Sequence, residues 1–179
     1  MNIGFDLDKV FVDYPPGIPH WIIDKLYKKK DSNTLLYRIP GKLEQKVRQI
    51  SHYTFLRPAI QKNLLFLQNL SKERKHNLYL ISSRFEFLKK QTEQLVKKHS
   101  FDSIFKKLYF NFLNEQPHEF KDRVMKEVHI DRYIDDDLSL IKYLARQNPN
   151  IIFYWLNSRW EKKLADNIFA VRDITEVVK

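Results

Sequence analysis

Ile3-Gly4-Phe5-Asp6-Leu7-Asp8-Lys9-Val10 decides how the rest of the 179-residue chain is read. The apolar run from Asn2 suits a short buried strand, and it ends in two acids. In an extended chain the Asp6–Leu7–Asp8 spacing places both carboxyls on the same side. Downstream, strand-like runs at Asn77–Ile81, Leu108–Phe112, Arg132–Ile134, Asn150–Leu156 and near Ile168–Val171 alternate with stretches at helical spacing. Those helices are expected from Arg57 to about Arg74, then at Phe85–His99, His118–Val128 and Leu138–Gln147, with a last helix-like stretch at Trp160–Asp166. Leu64, Leu65, Leu67 and Leu70 form the buried stripe expected of the first, with Pro58 in its first turn. Strict alternation of this kind indicates a parallel sheet covered on both faces, an α/β, three-layer Rossmann-like fold. Residues 14–56 interrupt it with helical segments at Ile18–Lys30 and Lys42–Ile50, separated by Pro40-Gly41. The expected organisation is a core of residues 1–13 and 57–179 with a small helical cap, 14–56, inserted after the first strand.

Composition narrows the function classes. A hydrophobic share of 43% is enough to bury a core, and 30% charged residues is an ordinary surface. No cysteine is present, which excludes disulfides, a thiolate zinc site and a cysteine nucleophile. Apolar runs such as Ile151–Leu156 are too short to span a bilayer, and the first residues lack a basic leader. The expectation is a soluble, cytoplasmic protein without a membrane partner. The net charge of +10 is uneven: residues 21–110 carry 20 basic and 7 acidic side chains, whereas the flanking segments are slightly acidic. A basic middle between aspartate-bearing ends could attract an anionic substrate. Lys28–Lys30, Lys97–Lys98 and Lys106–Lys107 also read simply as solvated helix ends.

In open parallel sheets, ligands bind beyond the carboxyl ends of the strands. Those ends carry Asp6 and Asp8, then Ser82, Ser83 and Arg84, then Asp135, Asp136 and Asp137. The helix before the last set runs back from that edge, so Lys121, rather than Lys126 further down its axis, shares it. Several carboxylates gathered at one edge cannot all remain unpaired anions. A hard cation held by oxygen relieves the repulsion, and Mg²⁺ suits a site of one or two carboxylates plus a substrate phosphate. A hydroxyl, an ammonium and helix N-terminal N–H groups would cradle a phosphoryl group.

These residues closely resemble the haloacid dehalogenase superfamily. Its first motif, Asp-x-Asp-x-Thr/Val after an apolar strand, stands here as Asp6-Leu7-Asp8-Lys9-Val10. The second stands as Leu78-Tyr79-Leu80-Ile81-Ser82, the third fits Lys121, and the fourth is Tyr133-Ile134-Asp135-Asp136. The resemblance covers about residues 1–140, in the required order. It implies that Asp6 attacks phosphorus and that Asp8 protonates the leaving oxygen and then activates water. It implies further that Ser82 binds the transferring group, that Lys121 steadies both, and that Mg²⁺ sits on Asp6, the backbone carbonyl of Asp8, and Asp135 or Asp136. The second aspartate favours phosphoryl transfer over dehalogenation. Ser83, Arg84 and Lys9 are further substrate-binding candidates, although Lys9 stands where many members have glycine. The ending, Asn150–Arg159 followed by Ile168–Glu176, is similar to the close of the 5′(3′)-deoxyribonucleotidase group. The implied substrate is a small phosphorylated molecule, a nucleoside monophosphate first among them. Two alternatives stand beside it: a phosphatase trimming nucleic-acid ends, suggested by the basic middle, and a non-catalytic basic binder on the same fold.

Each residue also has a structural reading. Asp6 and Asp8 could be polar strand ends, Ser82 or Ser83 could cap the helix near Phe85, and Asp136 or Asp137 could cap Leu138–Gln147. One of the three successive acids is therefore expected to be structural. Lys121 could be a solvated helix residue and Arg84 an ion-pair partner. The six histidines lack metal-ligand spacing, leaving His20 and His52 as weak substrate candidates. The aromatics of Tyr14–Phe55 are cap core or a base-stacking platform.

Overall fold

The computed structural model describes residues 1–16, 35–157 and 162–179. Its centre is a seven-stranded sheet in the order β3-β2-β1-β4-β5-β7-β6. The strands are β1 (Asn2–Phe5), β2 (Asn77–Ser82), β3 (Lys107–Phe110), β4 (Arg132–Asp135), β5 (Ile152–Leu156), β6 (Lys162–Ala165) and β7 (Ile168–Val171). All pairings are parallel except β6 with β7. The helices are α1 (Lys42–Ser51), α2 (Gln61–Glu73), α3 (Lys89–His99), α4 (Phe101–Ile104), α5 (Pro117–Val128) and α6 (Leu138–Gln147). The α/β Rossmann-like expectation holds.

Side-chain alternation along the strands divides the interior into two cores. Ile3, Phe5, Leu78, Leu80 and Ile134 pack with Leu64, Leu67 and Leu70 of α2, Leu95 of α3 and Phe101 of α4. Tyr79, Ile81, Tyr133 and Phe153 face the other way, onto Phe120, Val124 and Met125 of α5 and Ile141 and Leu144 of α6. The result is helix, sheet, helix in three layers. Gly4 is required by this packing: a Cβ there would lie 2.8 Å from the ring of Tyr133.

Three local expectations need correction. The helix expected from Arg57 begins at Gln61. Pro58–Ile60 instead lies along the loop after β1, with Asp13 N–H donating to Pro58 O (2.8 Å) and Ile60 N–H to Phe11 O (2.9 Å), so those backbone groups are satisfied outside a helix. Leu65 is 59% exposed; the buried stripe is Asn63, Leu64, Leu67 and Leu70, and Leu65 lies outside that arc. The helix-like stretch expected at Trp160–Asp166 contains strand β6, with 158–161 outside the described residues. There Lys162, Lys163 and Ala165 pair with β7 across a turn at Asp166-Asn167, and tertiary pairing overrides helical propensity. The helix expected over Ile18–Lys30 lies outside the described residues. Among those residues no helix is long and apolar enough to cross a membrane.

α1 stands between β1 and α2 in sequence and is tied to the core. Gln49 Nε2 donates to Phe87 O (2.8 Å), and Gln91 Nε2 donates to Gln49 O (3.3 Å).

Candidate active site

The carboxyl ends of β1, β2 and β4 converge on one cavity of about 140 Å³, whose walls include Asp6, Asp8, Ser82, Ser83, Arg84, Lys121, Asp135, Asp136 and Asp137. Asp6 still pairs with the sheet, its N–H donating to Ile134 O (3.0 Å). The chain then turns tightly: Phe11 N–H donates to Leu7 O (3.0 Å) and Lys9 N–H to Val12 O (2.7 Å). Leu7, Val10, Phe11 and Val12 are all fully buried, so the core itself holds this turn. Lys9 has φ 63°, in the left-handed region, which explains why glycine suits that position. Its ammonium contacts Asp13 (2.6 Å) and lies 4.8 Å from the ring of Tyr14, and Lys9 is not among the residues lining the cavity.

Lys121 is the keystone. It is only 2% exposed, and its Nζ donates to Asp6 Oδ1 and to Asp135 Oδ2, both at 2.7 Å. Burial would drive its ammonium towards neutrality, but Asp135 and Asp6 outweigh burial and hold it protonated. Burial pushes the Asp6 carboxyl up to about 7, with Asp135 and Asp8 adding to the rise against the pull of Lys121. Asp136 is raised well above the usual carboxylate range by burial and by Asp135, Asp6 and Asp137. Oxygens of Asp6, Asp135 and Asp136 lie within 4.8 Å of one another, the arrangement a hard divalent cation relieves.

Asp135 is fixed from three sides. It accepts from Lys121, from Tyr133 Oη (3.0 Å) and from the Asp137 N–H (2.9 Å). Asp137 is the structural member of the acidic trio, accepting from the N–H groups of Ser139 (2.9 Å) and Leu140 (3.3 Å) as the N-cap of α6. It also accepts from Tyr37 Oη (2.9 Å), so Tyr37 is a cavity-wall residue joined to the acidic loop. Neither Ser82 nor Ser83 caps the turn near Phe85; the Glu86 N–H donates to Asn114 Oδ1 instead (3.0 Å). The Ser83 hydroxyl is buried on the cavity wall without a hydrogen-bond partner among the described residues.

Asp8 lines the same cavity. Arg84 grips it with Nε to Oδ2 (2.9 Å) and Nη2 to Oδ1 (2.7 Å), and Arg57 also donates to Oδ1. Burial alone would raise its pKa, but Arg84 and Arg57 outweigh that and hold the carboxyl well below the usual range. Arg84 is thus an ion-pair partner of Asp8 that also lines the cavity. Arg48 of α1 and His52 just after it also line the cavity, both 5% exposed.

The structure therefore brings Asp6, Asp8, Ser82, Ser83, Arg84, Lys121, Asp135 and Asp136 together and leaves Lys9 outside. Sequence reasoning missed Tyr133, Arg57, Arg48 and Tyr37. Tyr133 had a signal, since it stands two residues before Asp135 on a strand and so shares its face. Four lysines of the basic middle lie away from the site. Lys72, Lys97 and Lys98 close α2 and α3, and Lys107 opens β3, at the sheet edge opposite the acids. Arg38, Arg48 and Arg84 are the basic residues of that middle segment that line the cavity.

No family model matches the chain, and no curated protein does. Solved structures do. A haloacid dehalogenase-like hydrolase family protein from Streptococcus pneumoniae has a TM-score of 0.59 at 15% identity, over 99% of this chain and 96% of that one. A haloacid dehalogenase-superfamily hydrolase from Ehrlichia chaffeensis has 0.57 at 13%, over 98% and 93%. A haloacid dehalogenase-like hydrolase from Xanthomonas campestris has 0.54 at 12%, over 97% and 90%. The chain has the fold of these hydrolases over nearly its whole length.

Proposed function

We propose that the chain is a cytoplasmic, Mg²⁺-dependent phosphomonoester hydrolase acting through an aspartyl-phosphate on Asp6. The observation that carries this is Lys121, whose ammonium bridges Asp6 and Asp135 at 2.7 Å in a cavity that Ser82 also lines. A core lysine between two aspartates that a third aspartate crowds is costly as structure alone, and it is what in-line attack on phosphorus needs.

The residues fit a divalent cation: Asp6, Asp135 and Asp136 offer oxygens, and two of these carboxyls are pushed upward by burial and by one another's charge. When bound, Mg²⁺ supplies charge stabilisation to the phosphoryl oxygens. Lys121 and the Ser82 and Ser83 hydroxyls orient the phosphoryl group. The Asp6 carboxylate oxygen attacks phosphorus, and the bond to the leaving oxygen breaks. That oxygen takes a proton, for which Asp8 is the placed donor once substrate loosens its contacts with Arg84 and Arg57. Water then attacks the acyl phosphate, giving its proton to Asp8 and returning Asp6 and inorganic phosphate. Residues 14–56 would act as the cap over this chemistry.

The substrate class is a small phosphorylated metabolite, with nucleoside monophosphates heading the panel because of the similarity of the chain's ending to the deoxyribonucleotidases. Nucleic-acid ends are the less favoured substrate, since Lys72, Lys97, Lys98 and Lys107 of the basic middle lie at the far edge of the sheet. A purely binding role leaves the buried Asp6–Lys121–Asp135 arrangement without a use. The test is phosphate release, with Mg²⁺, from an aryl phosphate, nucleoside monophosphates, sugar phosphates and a 3′-phosphorylated oligonucleotide. Release by the wild type that Asp6→Asn abolishes is expected; no release from any of them would overturn the reading.

A further inference from the structure

Tyr133 is fully buried on β4, packed with Ile81, Phe120, Val124 and Phe153. A phenylalanine would serve that packing as well, and a buried hydroxyl costs free energy unless it is paired. Its Oη lies 3.0 Å from Asp135 Oδ2 and 3.3 Å from Ile81 O. The phenol has one proton, and the nearer, charged acceptor takes it. Tyr133 stands two residues before Asp135 on the same strand face, so one short stretch of backbone carries both groups. Gly4, its partner in register on β1, leaves room for the ring, since a Cβ there would lie 2.8 Å from it. The Lys121 ammonium lies 5.4 Å from the ring centroid, so Tyr133 meets both members of the Lys121–Asp135 pair.

Each oxygen of a carboxylate has about two lone-pair sites. On Asp135, Oδ2 accepts from Lys121 and from Tyr133, whereas Oδ1 accepts from the Asp137 N–H. Counted over the described residues, Oδ2 is filled and Oδ1 keeps one lone pair. We propose that Tyr133 is a positioning residue for the divalent cation: its hydroxyl fixes the rotation of the Asp135 carboxylate, keeps Oδ1 as the oxygen on offer to the metal, and thereby sets the affinity of the site. This rests on the cation-dependent reading above and adds to it a residue that acts through Asp135. Without the hydroxyl, Oδ2 regains a lone pair and the carboxylate can turn about its Cβ–Cγ bond. A ligand that must be ordered on binding costs affinity. Partners of this kind behind a metal ligand carry about 10–100-fold in metal affinity or activity. Lys121 and the Asp137 N–H still hold Asp135 from two sides, which places the expectation at the lower end of that range.

Calorimetric titration of Mg²⁺ into the full chain, wild type and Tyr133→Phe, tests this without substrate and apart from catalysis. The expected result is a Kd raised about tenfold in Tyr133→Phe. With a substrate that the wild type hydrolyses, the Mg²⁺ concentration for half-maximal rate should rise by a similar factor. The ring stays in place in this variant, so its melting temperature without Mg²⁺ reports only the hydroxyl's share in folding. A lower melting temperature with a Kd changed by less than about threefold marks a purely structural hydroxyl and overturns the inference while the cation reading stands. Equal Kd values with equal melting temperatures overturn it in the same way. No Mg²⁺ binding by the wild type overturns the cation reading and this inference with it. Should Tyr133→Phe fail to fold, Gly4→Ala decides by another route, because its new Cβ displaces the ring and leaves the hydroxyl present. A weakened Mg²⁺ affinity in Gly4→Ala upholds the inference, and an unchanged one overturns it.

Discussion

Replacing Lys121 with methionine removes one charge from the protein interior while nearly conserving volume. The ammonium bridges Asp6 and Asp135, and oxygens of Asp6, Asp135 and Asp136 lie within 4.8 Å of one another. Removing one partner of a buried pair costs about 3–5 kcal/mol, because the other charge stays buried without compensation. For a chain of this length each kcal/mol moves Tm by roughly 2–4 °C, so the drop near neutral pH should be about 6–20 °C. The sign of its pH dependence also follows. Asp6 and Asp136 have folded-state values above the usual carboxylate value even with Lys121 present, and without it they rise further. Such groups take up protons on folding, so the stabilisation belongs to the protonated form and is lost as pH rises through the folded value, by up to about 1.4 kcal/mol per unit per group. The deficit of Lys121→Met should therefore shrink between about pH 8 and about pH 5.5. Mg²⁺ at a hundred times Kd should stabilise whichever form binds it by about 2.7 kcal/mol. Circular dichroism melts measure both. A drop smaller than about 2 °C, or one insensitive to pH, would refute the reading of Lys121 as a buried counter-charge.

Other parts of the structure make separate predictions. Mg²⁺ added near neutral pH to weakly buffered protein should release protons, because Asp6, at about 7, must give up its proton to serve as a ligand; a pH indicator dye detects it. Gly4→Ala should cost about 1–3 kcal/mol in urea melts, since the new Cβ meets the Tyr133 ring and Tyr133 holds Asp135. Asp137→Ala should cost about 0.5–2 kcal/mol through the lost cap of α6, with activity falling as well because Tyr37 loses its partner on the cavity wall. Lys9→Gly relieves about 1 kcal/mol of left-handed strain but gives up the contact with Asp13, so its melting temperature should stay within a few degrees of wild type.

The parallel sheet and its site were legible because both depend on local rules. Buried strands read as apolar runs, and polar residues at their carboxyl ends fall at one edge, which brought Asp6, Ser82 and Asp135 together before any coordinates. Lys121 could be placed by helix direction alone. What escaped depended on contacts distant in sequence. Arg57 reaches Asp8 across 49 residues, and no periodicity encodes it. The start of α2 shifted because Pro58–Ile60 satisfies its backbone on the β1 loop, and β6 formed because β7 was available to pair with it. The basic middle, read as one field, divides in space: Arg38, Arg48 and Arg84 line the cavity, whereas Lys72, Lys97, Lys98 and Lys107 lie at the opposite edge.

The central claim is that Asp6 becomes covalently phosphorylated. Acid-quenching the protein during turnover with Mg²⁺ and a hydrolysed substrate, then mapping its peptides by mass spectrometry, tests it directly. The expected result is one phosphoryl group on the peptide containing Asp6, absent without Mg²⁺ and absent in Asp6→Asn, which also releases no phosphate. Phosphate release that continues in Asp6→Asn, or a phosphoryl group on another residue, would contradict it.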